Sequence, residues 1–125
     1  MIDSKFLDSS VWLEYFFNGA CKEIIESDYS LFLSSLSLFE IKKKLLSSGR
    51  DKNKISEIIK HIKEGATVIP VTTSIAEQAA DISFVHTLAT VDAIIYTSAK
   101  VNHLVLLTYD KDFSGLPDVE VLSAQ

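Results

Sequence analysis

Leu104-Val105-Leu106-Leu107-Thr108-Tyr109-Asp110-Lys111-Asp112-Phe113 is an apolar run that stops abruptly at two carboxylates separated by one residue. A run of this length bounded by a polar turn reads as a strand buried on both faces. The Asp-x-Asp that follows puts two acids at the strand's carboxyl end. Near the start of the chain, Lys5-Phe6-Leu7 runs into Asp8-Ser9-Ser10, a shorter version of the same pattern. Ligands of an open parallel α/β sheet bind at the edge formed by such strand ends. Glu40 and Asp92 fall in the first turns of two predicted helices, where they can converge with the strand-end acids. Four or five oxygen acids on one rim suit a hard divalent cation, magnesium or manganese.

Outward from these two strands, β-rich runs alternate with amphipathic stretches, the pattern of a mostly parallel sheet covered by helices. Strands are expected over Lys5 to Asp8, Ser30 to Ser34, Thr67 to Val71, Leu104 to Thr108 and Val119 to Leu122. Helices are expected over Ser10 to Phe17, Cys21 to Ser27, Ser37 to Ser48, Asp51 to Glu64, Ser74 to Thr87 and Val91 to Asn102. Ser37-Leu38-Phe39-Glu40 and Ser74-Ile75-Ala76-Glu77 fit the Ser-x-x-Glu capping box. Ile55, Ile58, Ile59 and Ile62 recur at helical spacing opposite Lys54, Glu57, Lys60 and Lys63, which marks a surface helix.

The 125 residues suit one compact domain spanning 1–125. The composition, 47% hydrophobic and 23% charged, is that of a globular protein. No apolar run approaches a bilayer span. The amino-terminal segment lacks a basic stretch followed by an apolar one, so a cytoplasmic location without membrane attachment is expected. Cys21, the single cysteine, excludes an internal disulfide and a cysteine-rich zinc site. The net charge of -5 at first argues against nucleic acid. Without the five acids named above, the 17 acidic residues fall to 12 and balance the 12 basic ones. Much of the positive charge lies in Lys42-Lys43-Lys44 and in Arg50 to Lys54, where a solvated helix face is the default reading and phosphate contact the alternative.

Each acid also has a plain structural reading. Asp8 can be a helix cap or turn former. Glu40 can close a capping box on Ser37. Asp92 is favoured by the helix dipole in a first turn, and Asp110 with Asp112 can form a polar turn that Phe113 docks onto the core. Ser10 is placed either to cap a helix or to hold a water. His61, His86 and His103 lack ligand spacing. No glycine-rich phosphate loop or nucleophile elbow occurs, so nucleotide-triphosphatase and covalent serine chemistry have no support.

Taken in order, Phe6-Leu7-Asp8-Ser9-Ser10, then Glu40 with Ile41 and Leu45, then Asp92-Ala93-Ile94-Ile95 with Ala99, then Leu107 to Phe113, the chain resembles the PIN domain. Within it, the small VapC-type toxins of type II toxin-antitoxin systems are the most similar. The resemblance implies a three-layer α/β/α sandwich with an acidic pocket at the carboxyl edge of its sheet. It matches Asp8, Glu40, Asp92 and Asp110 to the family's four acids and Asp112 to a more variable fifth. Ser10 and Thr108 match hydroxyl positions that orient acids or water. Metal ligation by Asp8, Asp92, Asp110 and Asp112 is implied. So is a magnesium- or manganese-dependent endoribonuclease, partnered by RNA, a cognate antitoxin and a second copy of itself. Tyr109 departs from the pattern, since a basic residue is frequent there, and this bears on substrate preference. Part of the aromatic-rich segment Val11 to Phe17, with residues of Ser37 to Ser48, is expected to serve a homodimer or antitoxin interface, the alternative being that Trp12 and Phe16 are plain core. A PIN-fold module that binds RNA or protein without turnover is the alternative. A receiver domain would need adjacent acids after the first strand, and an Asp-nucleophile phosphatase an Asp-x-Asp there. Asp8-Ser9-Ser10 offers neither.

Overall fold

The computed structural model describes residues 3–123; Met1 and Ile2, the start of the segment read above for a leader, lie outside the described residues. Five strands form one sheet: β1 (Ser4–Leu7), β2 (Ser30–Ser34), β3 (Ala66–Ile69), β4 (Val105–Thr108) and β5 (Val119–Val121). The spatial order is β3-β2-β1-β4-β5, and every pairing is parallel. Helices α1 (Ser9–Asn18), α2 (Lys22–Ile25), α3 (Ser35–Ser47), α4 (Lys52–Gly65), α5 (Thr73–His86) and α6 (Thr90–Val101) provide the crossovers. A 3-10 turn, Lys111–Phe113, follows β4. No single helix among the described residues is long and apolar enough to cross a membrane.

Alternation along the strands divides the core into two layers. Leu7, Leu31, Leu33 and Leu107 face α1, α3 and α4, where they meet Val11, Trp12, Ile41, Leu45, Ile55 and Ile62. Phe6 and Leu106 face the other way, against Ile95, Tyr96 and Ala99 of α6 and against Phe113. With both faces covered, strands of three to five residues suffice. The result is the expected α/β/α sandwich, with a sheet that is wholly parallel.

The two capping boxes do not form. Ser34, the last residue of β2, is the N-cap of α3, and its side chain accepts from the Leu36 amide. Ser37 lies a turn inside the helix, fully buried, and its Oγ has no hydrogen-bond partner among the described residues. Thr72, not Ser74, caps α5 and accepts from the Ile75 amide at 3.1 Å. In both segments several hydroxyl residues compete for the cap. The winner in each case is the hydroxyl residue nearest the end of the preceding strand, Ser34 at the last position of β2 and Thr72 three residues after β3. Glu40 is thereby released from any capping role. The segment from Cys21 makes one turn of helix only, starting from a left-handed backbone at Cys21 with φ 63°. Of the two readings of the α1 aromatic residues, the structure favours core packing. Trp12 is core, and Leu13, Phe16 and Phe17 pack against it partly buried. The most exposed large apolar side chains among the described residues are instead Phe39 and Leu46 on α3 and Phe84 and Val85 on α5.

Candidate active site

The strand order reverses direction between β1 and β4, and the crevice above such a switch point is the default ligand site of an open parallel sheet. Leu7 is in register with Leu107 there, and the Asp8 amide extends the ladder to the Leu107 carbonyl at 3.0 Å. Asp8 and Asp110 thus leave adjacent strands side by side.

Asp8 is buried and well supplied with donors. Its Oδ1 accepts from the Ser9 amide at 2.9 Å, which starts α1. Its Oδ2 accepts from the Ser10 hydroxyl at 3.0 Å and from the Thr108 hydroxyl at 2.7 Å. Each hydroxyl has one proton, so the Ser10–Thr108 approach of 3.4 Å is a contact between two acceptors that both donate elsewhere. The same oxygens receive backbone amides in return: Tyr109 N–H donates to Ser10 and Asp110 N–H to Thr108. Two hydroxyls therefore fix both the Asp8 carboxylate and the turn that carries Asp110.

Asp110 caps the 3-10 turn by accepting from the Asp112 amide at 2.9 Å. Phe113, fully buried, pins that turn to the core. Asp92 stands in the first turn of α6, whose N-cap, Ala89, makes no side-chain cap. Asp92, Asp110 and Asp112 each offer a carboxylate oxygen, and the three oxygens lie within 4.8 Å of one another. Glu40 reaches the same crevice from α3 and accepts from Ser9 Oγ at 3.2 Å.

All seven residues singled out in the sequence therefore meet at the β1–β4 crevice, in two groups. Asp8, Ser10 and Thr108 form a hydrogen-bonded knot, with Glu40 linked beside it through Ser9. Asp92, Asp110 and Asp112 form a cluster of carboxylates. Ser9 was missed in the sequence; its neighbour Ser10 carried the hydroxyl argument, and only the packing of α1 on α3 shows Ser9 joining Glu40.

Electrostatics separates the groups further. Burial, then the charges of Asp110, Asp8, Asp112 and Glu40, push the Asp92 carboxyl up to about 6. Burial and the charge of Asp8 raise Glu40, partly offset by the Ser9 hydrogen bond. A carboxylate that resists ionising among its neighbours is relieved by a cation more than by anything else. Three hard oxygen donors within reach of one another, with no basic side chain among the described residues bridging them, fit a divalent cation. Beside the crevice, Tyr109 pairs its hydroxyl with the buried Cys21 thiol at 2.9 Å. That contact, then burial, pushes the phenol up to about 12, so Tyr109 stays neutral at the edge of the site.

Residues 5–119 match the model of the PIN domain, and the chain belongs to that family. Comparison with curated protein sequences returns no match. Among solved structures, the fold is similar to a chain of a toxin-antitoxin complex from Klebsiella pneumoniae. That pair has a TM-score of 0.77 and 19% identity over 94% of this chain and 96% of the other. It is similar to a chain of VapBC2 from Rickettsia felis bound to a promoter DNA fragment, with a TM-score of 0.76 and 12% identity over 95% and 97%. It is also similar to VapC20 of Mycobacterium tuberculosis, a sarcin-ricin loop cleaving toxin, with a TM-score of 0.67 and 21% identity over 91% and 97%.

Proposed function

We propose that this PIN-domain protein is a magnesium- or manganese-dependent endoribonuclease and the toxin of a type II toxin-antitoxin pair, acting in the cytoplasm as a single domain. The observation that carries the reading is the convergence of Asp92, Asp110 and Asp112 within 4.8 Å at the sheet's switch point. Asp8, whose Oδ1 keeps a free lone pair after its one hydrogen bond, completes the set of ligands. A divalent cation at this place supplies charge against the phosphoryl and leaving oxygens and makes water easier to deprotonate near neutral pH.

The chain's own residues do the rest. Ser10 and Thr108 hold Asp8 in one orientation, and through the Asp110 amide they hold the Asp110 turn at a fixed distance from it. Glu40 has one carboxylate oxygen steadied by Ser9, and burial raises its affinity for a proton, which suits it to take the proton of the attacking water. The 2'-hydroxyl of RNA is not the nucleophile in this scheme, so the products carry a 5'-phosphate and a 3'-hydroxyl.

The similar structures include toxin-antitoxin complexes, which supports a small antitoxin protein as partner. A second copy of the chain is the other partner we propose, with Phe84 and Val85 of α5 exposed for association. The test is cleavage of a panel of structured and single-stranded RNAs with manganese, beside chelator and beside Asp8→Asn and Asp92→Asn proteins. Cleavage only by wild type with metal supports the reading. Folded, manganese-binding protein that cleaves none of the RNAs would move the function to a module without turnover.

A further inference from the structure

A groove of about 570 Å³ leads away from the acid crevice between α1 and α3. Ser9, Glu40 and Val91 line its inner end, so it opens beside the residues just assigned to chemistry. Lys43 and Lys44 line its outer part. Phe39 lines the groove as well and is 61% exposed, next to Glu40 on a helix whose Ile41 and Leu45 are fully buried and whose Leu46 is exposed. Helix geometry puts Lys44 about 6 Å along the axis from Glu40, roughly one nucleotide step of an extended strand.

We propose that this groove is the track for single-stranded RNA leaving the scissile position, with Phe39 stacking on a base and Lys43 and Lys44 holding backbone phosphates. The inference rests on the ribonuclease reading for its substrate and adds the form of that substrate and the side from which it enters. Three observations carry it. First, the charge along the groove is graded, with its one acid, Glu40, at the catalytic end and two lysines beyond. That gradient complements a polyanion whose reacting phosphate alone meets the carboxylates. Second, Lys43 Nζ lies 5.9 Å from the Phe39 ring centroid, which steadies the ring from one side and leaves its other face to solvent. An exposed ring beside a cation is an arrangement that can take an unpaired base and its phosphate. Third, the neighbouring basic residues are engaged elsewhere: Arg50 lies over the Phe17 ring at 4.3 Å, and Lys42 borders α4 on the opposite side of α3. The run Lys42-Lys43-Lys44 is thus divided by helix geometry into two residues that face the track and one that does not. An amphipathic protein helix is the rival occupant. It would need a row of open apolar pockets, whereas Leu13 and Leu36 on the floor are already partly buried in the core layers.

The division supplies the control. Equilibrium binding of a fluorescent single-stranded oligoribonucleotide is measured with calcium, a hard cation that carboxylates also hold, and cleavage of the same RNA is measured separately with manganese. Phe39→Ala is expected to weaken binding about tenfold, the scale of one lost stacking contact. The double variant K43E/K44E is expected to weaken it at least as much and to lower the salt dependence by about 1.4 in the log–log slope, at about 0.7 per phosphate. Lys42→Glu makes the same change of charge as the single variant Lys43→Glu, one residue away, and should leave affinity close to wild type where Lys43→Glu weakens it. In the cleavage assay, the groove variants should raise KM far more than they lower kcat.

Equal weakening by K42E and K43E would overturn the proposal, since only long-range charge would then be at work. So would unchanged RNA binding in F39A and K43E/K44E, and unchanged RNA binding combined with loss of a bound protein partner would assign the groove to that partner. Binding that needs Phe39, Lys43 and Lys44, in a wild type that never cleaves with manganese, would sustain the groove and overturn the nuclease reading. Cleavage by all groove variants at wild-type KM would do the reverse.

Discussion

The two halves of the acid crevice are built on opposite terms. On the β1–α1 side, Asp8 is buried and accepts three hydrogen bonds from Ser9, Ser10 and Thr108. On the α6 and β4 side, Asp92, Asp110 and Asp112 crowd their oxygens together, and Asp92 is driven up to about 6 by burial and by its neighbours' charge. The first half is satisfied by the protein itself. The second holds charge that the protein does not neutralise, so it is where a cation has most to gain. One crevice therefore combines a rigid reference carboxylate with a cluster kept short of a partner, the arrangement expected where charge repulsion is relieved by binding.

The largest expected effect breaks the crowded half. Asp92→Asn or Asp110→Asn should reduce manganese-dependent cleavage by about 10²–10³-fold, the scale of losing one element of transition-state charge stabilisation. Single-turnover rates on one RNA check this. Thr108→Val attacks the satisfied half and should act on folding instead. It removes a hydroxyl bonded to a carboxylate and strands the Asp110 amide, at a cost of about 1.5–3 kcal/mol by urea unfolding. Activity should fall with it, by about 10- to 100-fold, as for other groups that orient ligands.

A sharper contrast comes from stability without metal. Asp92 has a folded-state pKa of about 6 against an ordinary 3.8, so the folded protein holds its proton more tightly than the unfolded chain. Its contribution to stability is complete below 3.8 and is lost as pH rises through 6. Asp92→Asn removes that loss. The variant should be more stable than metal-free wild type at neutral pH by about 1 kcal/mol, after discounting the full two-unit shift for solvent screening. The advantage should shrink to nothing as pH falls toward 4, the ordinary range of a carboxylate. Urea unfolding of both proteins across that range checks it. Glu40→Gln should give a smaller difference of the same sign, since Glu40 is also raised but accepts from Ser9.

Much of this division was open to reading in the sequence. The apolar runs before Asp8 and Asp110 located both strands, because a strand buried on two faces leaves little freedom of composition. Asp8-Ser9-Ser10 displayed its hydroxyls, and Asp110-Lys111-Asp112-Phe113 its turn and anchor. The helix starts were less legible. Ser34-Ser35-Leu36-Ser37 offers several caps, and the sheet chose Ser34 at the end of β2. The spacing of Ser37 and Glu40 satisfied a capping pattern that the fold does not use. The exposure of Phe39 was hidden because an apolar residue near Ile41 and Leu45 looks like core until α1 is packed against α3. What separates Asp8 from Asp92 lay beyond the sequence altogether, since both read as first-turn or strand-end acids. The difference comes from partners about a hundred residues away, such as Thr108 for Asp8.

The most direct test of the account is thermal unfolding of wild type and Asp92→Asn at neutral pH across a manganese titration. The account predicts that wild type starts lower, rises with manganese and overtakes the variant, whose midpoint stays nearly constant. An equal rise in both proteins, or none in wild type, would contradict the assignment of the crowded carboxylates as a cation site.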